Sequence, residues 1–180
     1  MIEREKWDSG VASLIREYEG FSPWQKSLVE DLAAAIKSCK GRLHLIVEGV
    51  GAGEICARCN GECCKGGKNH VRGVDLIVYM NDGRDLFSPR FELEICPYMG
   101  DSGCLMGPEY RPYNCISFIC EKVEELLSPM EKERYYALEA ELRSLYCAME
   151  QLLDNSFRFS LMSVFERRQR EKPINGKEIF

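Results

Sequence analysis

Ten cysteines dominate the chemistry that this sequence can perform. Cys56, Cys59, Cys63, Cys64, Cys96, Cys104, Cys115 and Cys120 fall in one central stretch, while Cys39 and Cys147 lie outside it. Cys56-Ala57-Arg58-Cys59 is a CxxC. Two intervening residues let the chain curl so that both sulfurs meet one ion, with backbone N–H groups aimed at the sulfurs. The doublet Cys63-Cys64 follows. Neighbouring side chains diverge, so a doublet serves two irons, two ions or a bridge between ions more naturally than one ion. Thiolates in such numbers select zinc, iron–sulfur or Cu(I) over calcium and magnesium. The eight central thiols divide into two four-thiolate sites, or into one four-Cys cluster with four supporting thiols, and the spacing leaves both readings open. It differs from the two-cluster ferredoxin run, and no second CxxC completes a zinc ribbon. Buried, inert Cys is the competing account. It suits Cys39, at a helix end, and Cys147, on a packing helix, better than the eight clustered positions.

Cys56, Cys59, Cys63 and Cys64, followed by Cys96-Pro97-Tyr98, Cys104 and Arg111-Pro112-Tyr113-Asn114-Cys115-Ile116-Ser117-Phe118-Ile119-Cys120, form a pattern that resembles the CxxCxxCC zinc- or iron-chelating family, also called YkgJ-like cysteine cluster proteins. The likeness covers residues 55–121 and joins two separated motifs in order. Two features depart from the family pattern. Three residues precede the doublet, and Ile116 stands where Arg is usual. The resemblance implies metal binding by the eight central cysteines, with zinc and iron both in play. A similar cluster occurs in flagellin lysine N-methylases, which are longer chains.

Composition narrows the classes. With 180 residues, 45% hydrophobic and 29% charged, the chain is expected to form one domain (1–180) with an apolar core. It is neither collagen-like nor wholly disordered. No apolar stretch approaches the ~20 residues of a membrane span, so no membrane is expected. The net charge of -5 disfavours a nucleic-acid partner. The run Met1-Ile2-Glu3-Arg4-Glu5-Lys6-Trp7 lacks the apolar core of a signal peptide. A cytoplasmic, reducing location is therefore expected, where clustered Cys bind metal more often than each other.

Three zones must position these residues. Residues 1–48 read as N-terminal helices, with Trp7, Val11, Leu14, Ile15 and Tyr18 at helical spacing. Ser22-Pro23-Trp24-Gln25 is a capping box. Trp24, Leu28, Leu32, Ala35 and Ile36 continue an apolar face, and Gly41 is the expected stop. Residues 49–120 hold most of the glycines and read as an irregular, Cys-rich metal-binding lobe. There Val74–Met80 is expected as a strand, Asn81-Asp82-Gly83 as a turn, and Phe91, Leu93 and Ile95 as the partner strand of a small β-hairpin. Residues 121–172 read as C-terminal helices. Ser128-Pro129-Met130-Glu131 is a second capping box. It precedes a stripe of Tyr135, Leu138, Leu142, Leu145, Met149 and Leu152. Asn155 ends or bends that helix, and Phe157, Leu161, Val164 and Phe165 give a further apolar face. The fold class is thus mainly α, α-rich α+β, with helical flanks packed beside the Cys-rich lobe.

Other candidates are weaker. His70, in a Gly-Lys-rich loop, could serve as a ligand or proton carrier, but reads more readily as a surface histidine; His44, between Leu43 and Leu45, reads as structural. Gly49-Val50-Gly51-Ala52-Gly53 lacks the Lys-Ser/Thr of a phosphate loop. Among the central carboxylates, including Asp75, Asp82 and Glu92, no acid–base pair stands out. Arg167, Arg168 and Arg170 read as a solvated helix end. The expected function is a metal-binding cysteine cluster protein, its thiolates holding an iron–sulfur cluster or zinc for structure, chelation or electron transfer. The alternatives are an iron–sulfur-dependent enzyme, redox or lysine N-methylase-like, and a zinc-stabilised interaction module. Metal is the expected partner, and the C-terminal helices offer a surface for a protein partner.

Overall fold

A computed structural model of the chain describes residues 2–59, 62–84, 89–92, 96–100, 103–152 and 161. The described residues are mainly helical. Helix α1 spans Ile2–Glu19 and α2 spans Pro23–Glu48. The Ser22 capping box starts α2: the Gln25 N–H donates to Ser22 Oγ at 3.3 Å, and the Ser22 N–H donates to Gln25 Oε1 at 3.0 Å. The expected stop at Gly41 is not used. The helix runs through it to Glu48, because a single glycine costs a helix only ~1 kcal/mol against alanine. The buried stripe of α2 is Val29, Ala33, Ile36, Lys40, Leu43 and Ile46. That is rotated from the expected face, and Trp24 stands 68% exposed.

Short helices follow. They are α3 (Ala52–Arg58), a 3-10 helix (Glu62–Asn69) and α4 (Gly73–Asn81). Residues 74–80 form no strand. They are buried from Val74 to Tyr79 within α4, and a short run that is apolar all round does not distinguish strand from buried helix. The expected turn at Asn81-Asp82-Gly83 is real but ends that helix. Gly83 has φ +62, its N–H donates to the Met80 carbonyl at 3.0 Å, and the Arg84 N–H reaches the Tyr79 carbonyl at 3.1 Å. This is a Schellman termination, which requires a left-handed residue. Leu93 and Ile95 lie outside the described residues. Phe91 sits in a turn with its ring 6.3 Å from that of Trp7. A minimal hairpin occurs elsewhere: β1 (Met99–Gly100) pairs antiparallel with β2 (Gly103–Cys104).

Helices α5 (Tyr113–Ser117), α6 (Glu121–Glu124) and α7 (Pro129–Leu152) complete the order. Ser128 caps α7 as expected, with the Glu131 N–H donating to Ser128 Oγ at 3.3 Å and the Ser128 N–H to Glu131 Oε2 at 2.8 Å. Tyr135, Leu138, Leu142, Tyr146 and Met149 are the buried face of α7, and Leu145 and Leu152 pack against the core. That face lies against α2, which also packs on α4 and α5. The α2 and α7 helices are locked by Cys39 Sγ donating to the Leu138 carbonyl at 3.3 Å, and by an Arg42–Glu141 ion pair. Asn155, Phe157, Val164, Phe165 and the basic patch lie outside the described residues. Leu161 is buried, and its N–H donates to the Val71 carbonyl at 2.9 Å. No described helix is long and apolar enough to cross a membrane.

Candidate metal centre

The cysteines are carried by short, irregular elements bracketed by the long helices. Cys56 lies on α3, with Cys59 as its C-cap. The left-handed Gly51, at φ +73, turns the chain out of α2 into α3. Cys59 Sγ donates to the Cys56 carbonyl at 3.3 Å, so the CxxC closes on itself. Cys120 is the N-cap of α6, and α3 packs against α6. The Cys56–Cys59 helix and Cys120 therefore belong to one outer group.

An inner group gathers Cys64, Cys96, Cys104 and Cys115. Cys64 lies on the 3-10 helix, Cys96 at the entry to the small hairpin, Cys104 on β2 and Cys115 on α5. Cys96 is buried. Burial pushes its thiol from the ordinary 9.0 up to about 11, with the charges of Cys104 and Cys64 adding to the rise. Cys115 is open to solvent on one side and hemmed in by protein on the other. Burial, then Asp75, then the charges of Cys104, Cys96 and Cys64 push its thiol well above the ordinary range. Negative charge on Cys64 or Cys104 thus makes Cys96 and Cys115 harder to ionise.

The approach of these segments depends on Gly67. It is buried in the 3-10 helix, and a Cβ there would overlap Cys96 Sγ. The glycines of this stretch read as loose in the sequence, but at this position the missing side chain is what admits a sulfur. His70, read as a surface histidine, is instead partly buried, with Nδ1 at 3.2 Å from Cys115 Sγ. Burial lowers the basicity of its imidazole, which Asp75 opposes and Arg72 reinforces. His44 lies on α2, 3.9 Å from Glu48 Oε2 and away from this contact.

Beneath the inner group lies a polar network that the sequence reading missed. Lys40 and Asp75 are both fully buried, with Nζ 3.3 Å from Oδ1. The Tyr146 hydroxyl also donates to Asp75 Oδ1, and the Arg72 backbone N–H donates to Oδ2 at 2.9 Å. The Lys40 ammonium sits 5.3 Å from the centre of the Tyr146 ring. Burial lowers the Lys40 pKa, opposed first by Asp75 and then by the Cys115 charge. The signal for this network was present: Lys40 falls at a core position of the α2 stripe, four residues from Ile36 and three from Leu43.

The Cys63 side chain lies outside what the structure describes. The other nine cysteines are free thiols. Among the described residues no three His, Cys, Asp or Glu side chains are yet gathered closely enough to hold a metal ion. The donor set nonetheless fits a thiophilic metal. The inner segments carry four sulfurs, two of which, Cys96 and Cys115, a cation would help to ionise, and the outer group carries a CxxC. Compared with models of protein families, with curated proteins and with solved structures, the chain matches none.

Proposed function

We propose that this chain is a metal-binding cysteine cluster protein in which Cys56, Cys59, Cys63, Cys64, Cys96, Cys104, Cys115 and Cys120 are the ligands. The observation that carries this reading is the close approach of the Cys-bearing turns: a Cβ at Gly67 would overlap Cys96 Sγ, His70 Nδ1 lies 3.2 Å from Cys115 Sγ, and the charges of Cys64 and Cys104 add to the resistance of Cys96 and Cys115 to ionisation. Evolved cores hide isolated cysteines one at a time. Thiols that resist ionisation, as Cys96 and Cys115 do, become thiolates when a cation compensates them, because metal binding requires thiolates and releases their protons. The resemblance in residues 55–121 points the same way.

A polynuclear iron–sulfur centre is preferred over zinc, since the Cys63-Cys64 doublet suits a centre with more than one metal atom. Reduced thiols of this kind belong in a cytoplasmic setting. The role proposed is structural, chelating or electron-transferring. The metal would supply cross-links between segments that contribute few regular hydrogen bonds of their own. The chain's residues deliver the sulfurs: α3 and α6 bring the outer group together, while Gly67 admits Cys96 to the inner one.

Oxygen-free purification followed by elemental analysis and an absorption spectrum tests the reading. Iron with sulfide, and a brown colour bleached by air, is the expected result. A colourless chain with two zinc ions would overturn the preference for iron–sulfur while keeping the metal. A folded chain purified without any bound metal would end the proposal.

A further inference from the structure

His70 stands where the proposed centre would be, held by two constraints that have nothing to do with packing a surface loop. Its backbone N–H donates to the Gly67 carbonyl at 3.0 Å, which fixes it at the end of the 3-10 helix that carries Cys64. Its side chain approaches Cys115 Sγ through Nδ1 at 3.2 Å. The same turn holds Gly67 against Cys96 Sγ and Gly66 beside His70 Nε2, where a Cβ would lie 3.5 Å away. One turn of chain therefore brings an imidazole to Cys115 and makes room for Cys96.

The 3.2 Å contact is a hydrogen bond between imidazole and thiol, and its length also suits two ligands of one ion. Two ligands on one tetrahedral zinc, with Zn–S of ~2.3 Å and Zn–N of ~2.0 Å, sit about 3.5 Å from each other. The observed separation of nitrogen and sulfur is within a few tenths of an ångström of that edge. Imidazole nitrogen is an accepted ligand both for zinc and for the iron of [2Fe–2S] centres. We propose that His70, through Nδ1, is a nitrogen ligand of the metal held by Cys115, so that the inner group has a mixed sulfur–nitrogen shell. This rests on the metal-binding reading above. It makes the inner group a five-donor set from which one cysteine is released to a supporting or bridging role. A neutral imidazole in place of a thiolate also removes one negative charge from the centre.

The chain has only two histidines, so His44 is a built-in control. X-ray absorption is measured at the edge of whichever metal, zinc or iron, the anaerobically purified full-length chain carries. A nitrogen contribution at ~2.0 Å beside sulfur at ~2.3 Å is expected. It should persist in His44→Ala, vanish in His70→Ala and be replaced by sulfur in His70→Cys. In competition with a chelator, His70→Gln should lower metal affinity by about tenfold or more, and His70→Cys should restore it. A shell of sulfur alone, or nitrogen that survives His70→Ala, overturns the assignment while leaving the cysteine centre intact. A chain that carries no metal overturns the centre and the His70 ligand together. His70→Cys keeps the test decisive should His70→Ala fail to fold.

Discussion

The α2–α7 frame and the segments between them both bury apolar side chains, but only the segments between carry the clustered cysteines. In the frame, Val29, Ile36, Leu43, Leu142 and Met149 are buried, and Lys40 and Tyr146 are matched by Asp75. Among the segments between, α4 shows the same arrangement, and Tyr98, Met106, Tyr110, Ile116, Val123 and Leu127 are buried too. The Cys-bearing turns add to this burial a set of thiols, of which Cys96 and Cys115 resist ionisation. Under the proposed function, a cation among the sulfurs would tie the Cys-bearing turns together, whereas the frame contributes no ligand to it. Perturbing each part separately tests that division.

The largest effect is expected on stripping the metal. Structural zinc sites contribute on the order of 10 kcal/mol in small peptides. Chelation should abolish hydrogen-exchange protection around residues 62–70 and 113–120 while far-UV circular dichroism keeps the signal of α2 and α7. Loss of both together would show that frame and turns form one unit. Next comes Asp75→Ala, which leaves the Lys40 charge buried and unmatched. A cost of about 3–5 kcal/mol in urea unfolding is expected, with metal content per folded chain unchanged. Adding Lys40→Met should recover much of it.

Gly67→Ala is the converse probe. Overpacking against Cys96 should cost about 1–3 kcal/mol, but metal content should fall with it. Equal metal loading in this variant would mean that the close approach has no part in assembling the site. The smallest effect is that of pH on the metal-free chain. Burial raises the Cys96 thiol from 9.0 to about 11, so the folded state holds that proton more tightly than the unfolded one. Its contribution is complete below 9 and lost as pH rises towards 11. The urea midpoint of the metal-free chain should fall across that window, and that of the metal-loaded chain, whose sulfurs carry no proton, should not.

The long helices were legible because their signals are local and repeated. Ser22 and Ser128 each announce a cap, and the stripe from Tyr135 to Met149 holds its period over several turns. The face of α2 was misjudged at Trp24 because alternative stripes one residue apart are equally apolar on paper, and only the position of α7 chooses between them. Val74–Met80 was misread because a helix buried on all sides loses the periodicity that identifies helices. The Cys pattern suggests a chemistry but does not reveal a grouping. The association of Cys120 with the CxxC helix, and of Cys115 with Cys64 and Cys96, is set by tertiary contacts between distant segments. The contact of His70 with Cys115 is not legible in the sequence because flanking Gly and Lys imply solvent, while the contact depends on α5, 45 residues further on.

The contact between Cys39 and the Leu138 carbonyl joins positions 99 apart. Every one of the eight central cysteines lies inside the loop which that contact closes. Closing a long flexible loop carries an entropic cost, and helical proteins with such distant partners fold more slowly than bundles built from neighbours. A metal that cross-links sulfurs within the loop shortens its effective contour before α7 arrives. A metal-loaded chain would then reach the paired α2–α7 state faster than a bare one, although no ligand lies on either helix.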